Sequence, residues 1–135
     1  MRILAISILV AILFSCAGAT PQGPVQVQNM SPDAFKEQNM NSKAVLLDVR
    51  TPEEFSSGHL DGAILSDFRG GDFVQDLQNW DKDKVYYLYC ASGNRSGQAA
   101  ELMKQAGFKH IYNLGAYRSL EEAGLPTEKG NVDNQ

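Results

Sequence analysis

Apolar residues in this chain fall into two patterns, continuous runs and spaced positions, and their alternation predicts strands alternating with helices. Ala44–Val49 and Val85–Tyr89 are continuous aliphatic, β-branched or aromatic runs, as expected of parallel strands buried on both faces. Gly62–Leu65 and His110–Asn113 read as two shorter strands. Ser31, Pro32 and Asp33 supply an N-cap, a proline at the first helical position and an acid in the first turn, so a helix should run to about Asn41. Thr51 and Glu54, three apart around Pro52, form a capping box for a short helix that Gly58 ends. Phe73, Val74, Leu77 and Trp80 recur at the spacing of one helix face. From Ser96 onward Ala, Glu, Leu, Met, Lys and Gln dominate, which predicts a helix stopped by Gly107. A last helix is expected from Ala116 to Ala123. The pattern is that of an α/β fold on a parallel sheet, whose ligand sites lie beyond the carboxyl ends of the strands.

The start of the chain reads differently. Met1 and Arg2 precede an uninterrupted apolar run from Ile3 to Phe14, closed by Ser15 and Cys16. One positive charge, a short hydrophobic run and small residues at its end describe an export signal, too short to span a bilayer comfortably. Leu13-Phe14-Ser15-Cys16 resembles the lipobox of bacterial lipoproteins, with a bulkier residue at Phe14 than is usual there. That resemblance implies lipidation of Cys16 and attachment to a bacterial membrane, facing the periplasm or the cell exterior. The expected organisation is a signal peptide over 1–15, a tether over 16–30, one domain over 31–126, and a polar, frayed tail over 127–135.

Composition adds exclusions. The 135 residues carry a formal net charge of −4 and no basic run, which argues against nucleic acid as a partner. Two His and two Cys show no metal-ligand spacing, which argues against a zinc site, and no residue pattern implies an organic cofactor. With Cys16 lipidated, Cys90 is the one free thiol of an exported chain.

Candidate chemistry centres on that thiol. Cys90 ends an apolar strand and faces the start of the next helix across a tight Gly-containing loop. Unpaired N–H groups and the positive end of the helix dipole then point at the sulfur, and they favour the thiolate. A small buried core cysteine is the plainer alternative for this residue type. The strand, the loop and the helix together favour a nucleophile. Asp48 and Arg50 also fall at a strand's carboxyl end, where a structural hydrogen bond and an ion pair are expected of them. His59, at a helix end, is expected to cap carbonyls. Arg69 and Arg118 are rim candidates that the sequence leaves unplaced.

These residues resemble a known family. Leu47-Asp48-Val49-Arg50-Thr51-Pro52-Glu53-Glu54-Phe55, followed by Gly58-His59-Leu60-Asp61-Gly62-Ala63-Ile64, is similar to the first signature of rhodanese domains. Cys90-Ala91-Ser92-Gly93-Asn94-Arg95-Ser96 resembles their active-site loop, and Ala106-Gly107-Phe108 the helix end that follows. The likeness covers roughly Ser31 to Pro126 and is nearest to single-domain exported members. It implies a three-layer fold, with a central parallel sheet and helices on both faces. It also implies a sulfurtransferase that moves sulfane sulfur from thiosulfate through a Cys90 persulfide to cyanide or a thiol. Ala91, Ser92, Gly93, Asn94, Arg95 and Ser96 would then surround the substrate, with Asp48 and Arg50 in support. The chain departs from the family in reading Gly115-Ala116 where a Gly-Gly pair is usual, and Leu120 where a Trp is expected. No basic residue directly follows Cys90, so Arg95 either meets thiosulfate or braces the loop through a carboxylate.

The expected partners are a small anionic sulfur donor, a thiol or cyanide acceptor and a membrane, with the domain acting as a monomer. Two other functions compete with this one. Cysteine phosphatases separate their cysteine and arginine by five residues, whereas four separate Cys90 from Arg95. A tethered binding module or persulfide carrier fits the same signatures without thiosulfate turnover.

Overall fold

The computed structural model describes residues 23–38, 40 and 43–130. The apolar run of the expected export signal, Cys16 and the end of the tail from 131 lie outside the described residues. In chain order the elements are β1 (Gln28–Asn29), α1 (Pro32–Lys36), β2 (Ala44–Asp48), α2 (Pro52–Ser57), β3 (His59–Leu60), β4 (Ile64–Leu65), α3 (Asp72–Asp76), β5 (Val85–Cys90), α4 (Asn94–Gln105), β6 (His110–Ala116), α5 (Tyr117–Glu122) and β7 (Thr127–Glu128).

Five strands pair in parallel in the order β1-β6-β5-β2-β4, which puts β5 at the centre. Successive side chains of β5 point to opposite faces, so each strand builds two cores. Tyr86, Leu88 and Cys90 join Leu47, Val49 and Ile111 under Phe73 of α3 and Ala99, Ala100 and Met103 of α4. Tyr87 and Tyr89 join Leu46 and Leu114 under Phe35 of α1, Phe55 of α2 and Leu120 of α5. Helices cover both faces, giving the α/β, three-layer architecture expected.

Four boundaries differ from the sequence reading. The end of the expected tether is part of the fold: β1 pairs with Tyr112 and Asn113, and Val25 and Val27 pack against the core. Their alternation with Gln26 and Gln28 is a strand pattern inside a stretch whose composition reads as linker. The expected frayed tail begins instead with β7, antiparallel to β3, where Glu128 accepts from His59 Nε2 at 3.2 Å. Helix α1 stops at Lys36, capped by Glu37. Helix α3 is a single turn that buries Phe73 alone, and Val74 is 48% exposed.

Candidate active site

Strand β5 delivers Cys90 to the carboxyl edge of the sheet, between β2 and β6. The chain then reverses over Ala91, Ser92 and Gly93, and α4 begins at Asn94, two residues before the expected Ser96. Gly93 is the N-cap, at φ 88°, and a Cβ there would lie 3.1 Å from Gly115 Cα. Both the backbone angle and the approach of β6 call for glycine.

The reversal turns amide groups inward. Gly93 N–H donates to Cys90 Sγ at 3.0 Å, and the Ser96 hydroxyl lies 3.5 Å from the same sulfur. Burial is the largest influence on the thiol and opposes its ionisation. The Ser96 hydroxyl and the amides of Ser96, Ser92 and Gly93 together outweigh it, so the pKa lies below the ordinary value. Cys90 has no exposed surface. The plainer reading therefore holds for its packing, while its hydrogen bonds are those of an activated sulfur.

Ser96 is in turn held from β6. Its hydroxyl lies 2.7 Å from Asn113 Oδ1, which also accepts from Gly115 N–H at 3.1 Å, and Asn113 Nδ2 reaches Gly93 O at 3.4 Å. A hydroxyl has one hydrogen to donate, and here two acceptors, Sγ and Oδ1, lie within reach. With the thiol protonated, the hydrogen can stay on Asn113; with the thiolate, it can turn to the sulfur. Asn113 is placed by a register shift: Leu88 pairs with Asn113 but Tyr89 pairs with Gly115, leaving Leu114 as an extra residue. Sequence reasoning missed Asn113, although an Asn two residues before a Gly at a strand's end is a turn signal.

Arg95 is engaged by α2. Its two terminal nitrogens take both oxygens of Glu54 at 2.7 and 2.8 Å. Glu54 Oε2 also accepts from Thr51 N–H at 2.9 Å, so one carboxylate closes the capping box of α2 and clamps the loop. The Arg95 guanidinium, followed by the Thr51 amide, holds Glu54 from the ordinary 4.5 down to about 2 against its partial burial. Of the two roles expected for Arg95, the side chain takes the brace, and it also lines the cleft beside the loop. The sequence had given Glu54 only the cap.

Asp48 and Arg50 pair with each other rather than with the loop. Arg50 Nη2 lies 2.6 Å from Asp48 Oδ2 and 2.7 Å from Gly58 O, and the guanidinium stacks 4.2 Å over Tyr117. They fix the end of α2 to the tip of β2. His59 Nδ1 donates to Phe55 O at 2.9 Å, a helix-end contact as expected. Arg118 is exposed and paired with Glu122 on α5. Beside the loop lies a cleft of about 470 Å³, lined by Ala91, Ser92, Asn94 and Arg95 and, across from them, Phe68 and Arg69.

Comparison with known proteins identifies the family of this fold. The rhodanese-like domain model matches residues 31–122. The chain belongs to the rhodanese-like domain family. It is 43% identical over 75 residues to the uncharacterized protein YqhL of Bacillus subtilis, covering 53% of this chain and 56% of that one. It is 32% identical over 84 residues to the thiosulfate sulfurtransferase PspE of Escherichia coli, covering 62% of this chain and 78% of that one. A solved structure, a rhodanese with anions from E. coli, superposes with a TM-score of 0.55 at 30% identity, covering 64% of this chain and 99% of that one. The chain thus spans little more than half of YqhL but most of PspE. Within the rhodanese fold, the two departures have a place: Ala116 pairs in register with Cys90, and Leu120 is fully buried in the second core.

Two outcomes follow from the clamp and the hydroxyl. A group whose folded pKa is depressed adds stability above its unfolded pKa and loses it as pH falls through the folded one. Glu54 should therefore contribute stability that fades between pH 4.5 and about 2. Glu54→Gln should cost about 1 kcal/mol near neutrality and flatten that part of the acid limb, as read by denaturant unfolding across pH. Ser96→Ala removes a donor to the thiolate and should raise the Cys90 pKa. Iodoacetamide alkylation of Cys90 at neutral pH should slow about tenfold, and its pH profile should move to higher pH; an unmoved profile would exclude the hydroxyl from the sulfur's electrostatics.

Proposed function

We propose that the protein is a thiosulfate sulfurtransferase in which Cys90 carries the sulfur as a persulfide. The observation that carries the reading is the Cys90 sulfur itself, ringed by the Gly93 amide and the Ser96 hydroxyl at the start of a helix. The Cys90 thiolate attacks the outer sulfur of thiosulfate, the new S–S bond forms at Sγ, and the old one breaks with its electron pair leaving on sulfite. Cyanide or a thiolate then takes the outer sulfur and returns Cys90 to thiolate. Both forms of the site are anions of one charge, and the same inward amides stabilise each. The family membership and the name of the E. coli relative support the chemistry, and the anions in the solved E. coli rhodanese suit a site of this polarity.

The phosphatase alternative is weakened by Arg95. Phosphate recognition draws on the charge of the loop arginine, and here that charge is already paired with Glu54 through both terminal nitrogens. A non-catalytic module needs no lowered thiol pKa, whereas a persulfide carrier serving protein donors uses the same site and differs only in its donor.

Lipid anchoring on Cys16 and a location at a bacterial membrane are part of the proposal, resting on the apolar run Ile3–Phe14 and the Leu13-Phe14-Ser15-Cys16 motif. Several acyl chains on one residue give stable attachment where one does not.

Intact mass of the purified protein after incubation with thiosulfate should rise by one sulfur atom, and cyanide should remove it. Cys90→Ser should show no gain; if wild-type protein gains none from any sulfane donor, the binding module becomes the better reading. Expressed in a bacterium fed labelled palmitate, the full chain should take up label and fractionate with membranes. Label retained in Cys16→Ser would refute anchoring at that residue.

A further inference from the structure

Thiosulfate is a dianion, and it must approach a thiolate on a chain whose net charge is −4. The loop amides face Sγ, so they address the transferred sulfur and leave the sulfonate end of the donor unmatched. The loop's own cation, Arg95, already has its charge met by Glu54, which accepts from each of its two terminal nitrogens. The cleft beside the loop has one further cation, Arg69, which stands across from Ala91, Ser92 and Asn94. Among the described residues its guanidinium has no acceptor and no ion-pair partner.

The backbone beneath Arg69 is built to hold it there. Asp67 is buried and turns its carboxylate back to accept from Arg69 N–H at 2.8 Å. Ser66 N–H bonds to Asp48 O at 2.9 Å, and Phe73 N–H bonds to Asp67 O at 3.2 Å. Ser66 Oγ donates to Asp76 at 2.7 Å. A Cβ on Gly70 would lie 2.6 Å from Asp67 Oδ2, so the residue after Arg69 must stay small for this turn to close. A fixed turn thus presents a free guanidinium at the cleft edge, a planar donor fork suited to an oxyanion.

We infer that Arg69 binds the oxyanion end of the sulfur donor, and that it makes the protein selective for small sulfonate-bearing donors. The inference rests on the sulfurtransferase reading of Cys90 and assigns the recognition that Arg95 does not perform. Arg69 holds the sulfonate while Sγ takes the outer sulfur, and it stays with the departing sulfite as that fragment gains its electron pair. Its contribution is to binding first, so KM should respond more than kcat.

The test compares wild type with Arg69→Ala, Arg69→Lys and Arg118→Gln, the last a charge loss remote from the cleft. Arg69→Ala should raise KM for thiosulfate about tenfold, which is about 1.4 kcal/mol, with a smaller change in kcat. Arg69→Lys should fall between, because the charge stays and the fork is lost. Arg118→Gln should match wild type. Alkylation of the Cys90 peptide by neutral iodoacetamide should be unchanged by Arg69→Ala, which separates recognition from thiol activation. Thiosulfate should slow that alkylation in wild type and not in Arg69→Ala. If protection by thiosulfate depends on Arg69 but no persulfide forms, the anion subsite stands and the transfer reading falls. An unchanged KM in Arg69→Ala, an equal effect of Arg118→Gln, or no protection of wild type would each overturn the inference.

Discussion

Arg95 commits both arms of its guanidinium to Glu54, and the form of the loop above Cys90 depends on that pair. The residue sits in the first turn of α4, so fixing its side chain fixes where the helix starts and where its free amides point. Glu54 sits in the first turn of α2 and is held by the Thr51 amide as well. Two helix starts that belong to different strands of the sheet are thereby locked to one carboxylate. The geometry is bidentate and the arginine side chain is largely buried, which places the pair above the usual weak surface ion pair.

The opposite wall of the loop is set by backbone rather than charge. The extra residue in β6 lets Leu114 enter the second core while Asn113 stays on the side of α4. Asn113 then binds the Gly115 amide, the Ser96 hydroxyl and the Gly93 carbonyl. Gly93 and Gly115 approach so closely that neither chain could carry a larger residue at Gly93 without moving the other. Charge on the α2 side and close packing on the β6 side leave the loop little freedom. A donor set this fixed stabilises an anion without reorganising, which is what lowers a thiol pKa despite full burial.

Most of the frame was legible because its signals are local. Ala44–Val49 and Val85–Tyr89 are apolar without a break, and Thr51-Pro52-Glu53-Glu54 carries its capping box in four residues. The place of Cys90 between a strand and a helix was legible in the same way. The pairs that hold it were not legible, since Glu54 and Arg95 are 41 positions apart and Ser96 and Asn113 are 17 apart. Each has a sufficient local reading as a cap or a strand end, and only the folding of the sheet brings the partners together. The edge strands β1 and β7 were missed for a related reason: two residues of pairing leave no composition signal inside a polar, Gly- and Pro-containing stretch.

The division of labour between the two arginines follows from their surroundings. An arginine on the loop that is paired with a carboxylate braces the loop, and its charge is then met within the protein. Four residues separate Cys90 from Arg95, and the amides of that short span form a ring that faces the sulfur. An arginine inside such a ring would sit against the transferred atom, whose charge the amides already meet. Placed outside it, on the turn after β4, an arginine meets the part of the donor that departs. Loop rigidity and donor charge are then handled by separate side chains, so either can change without loss of the other.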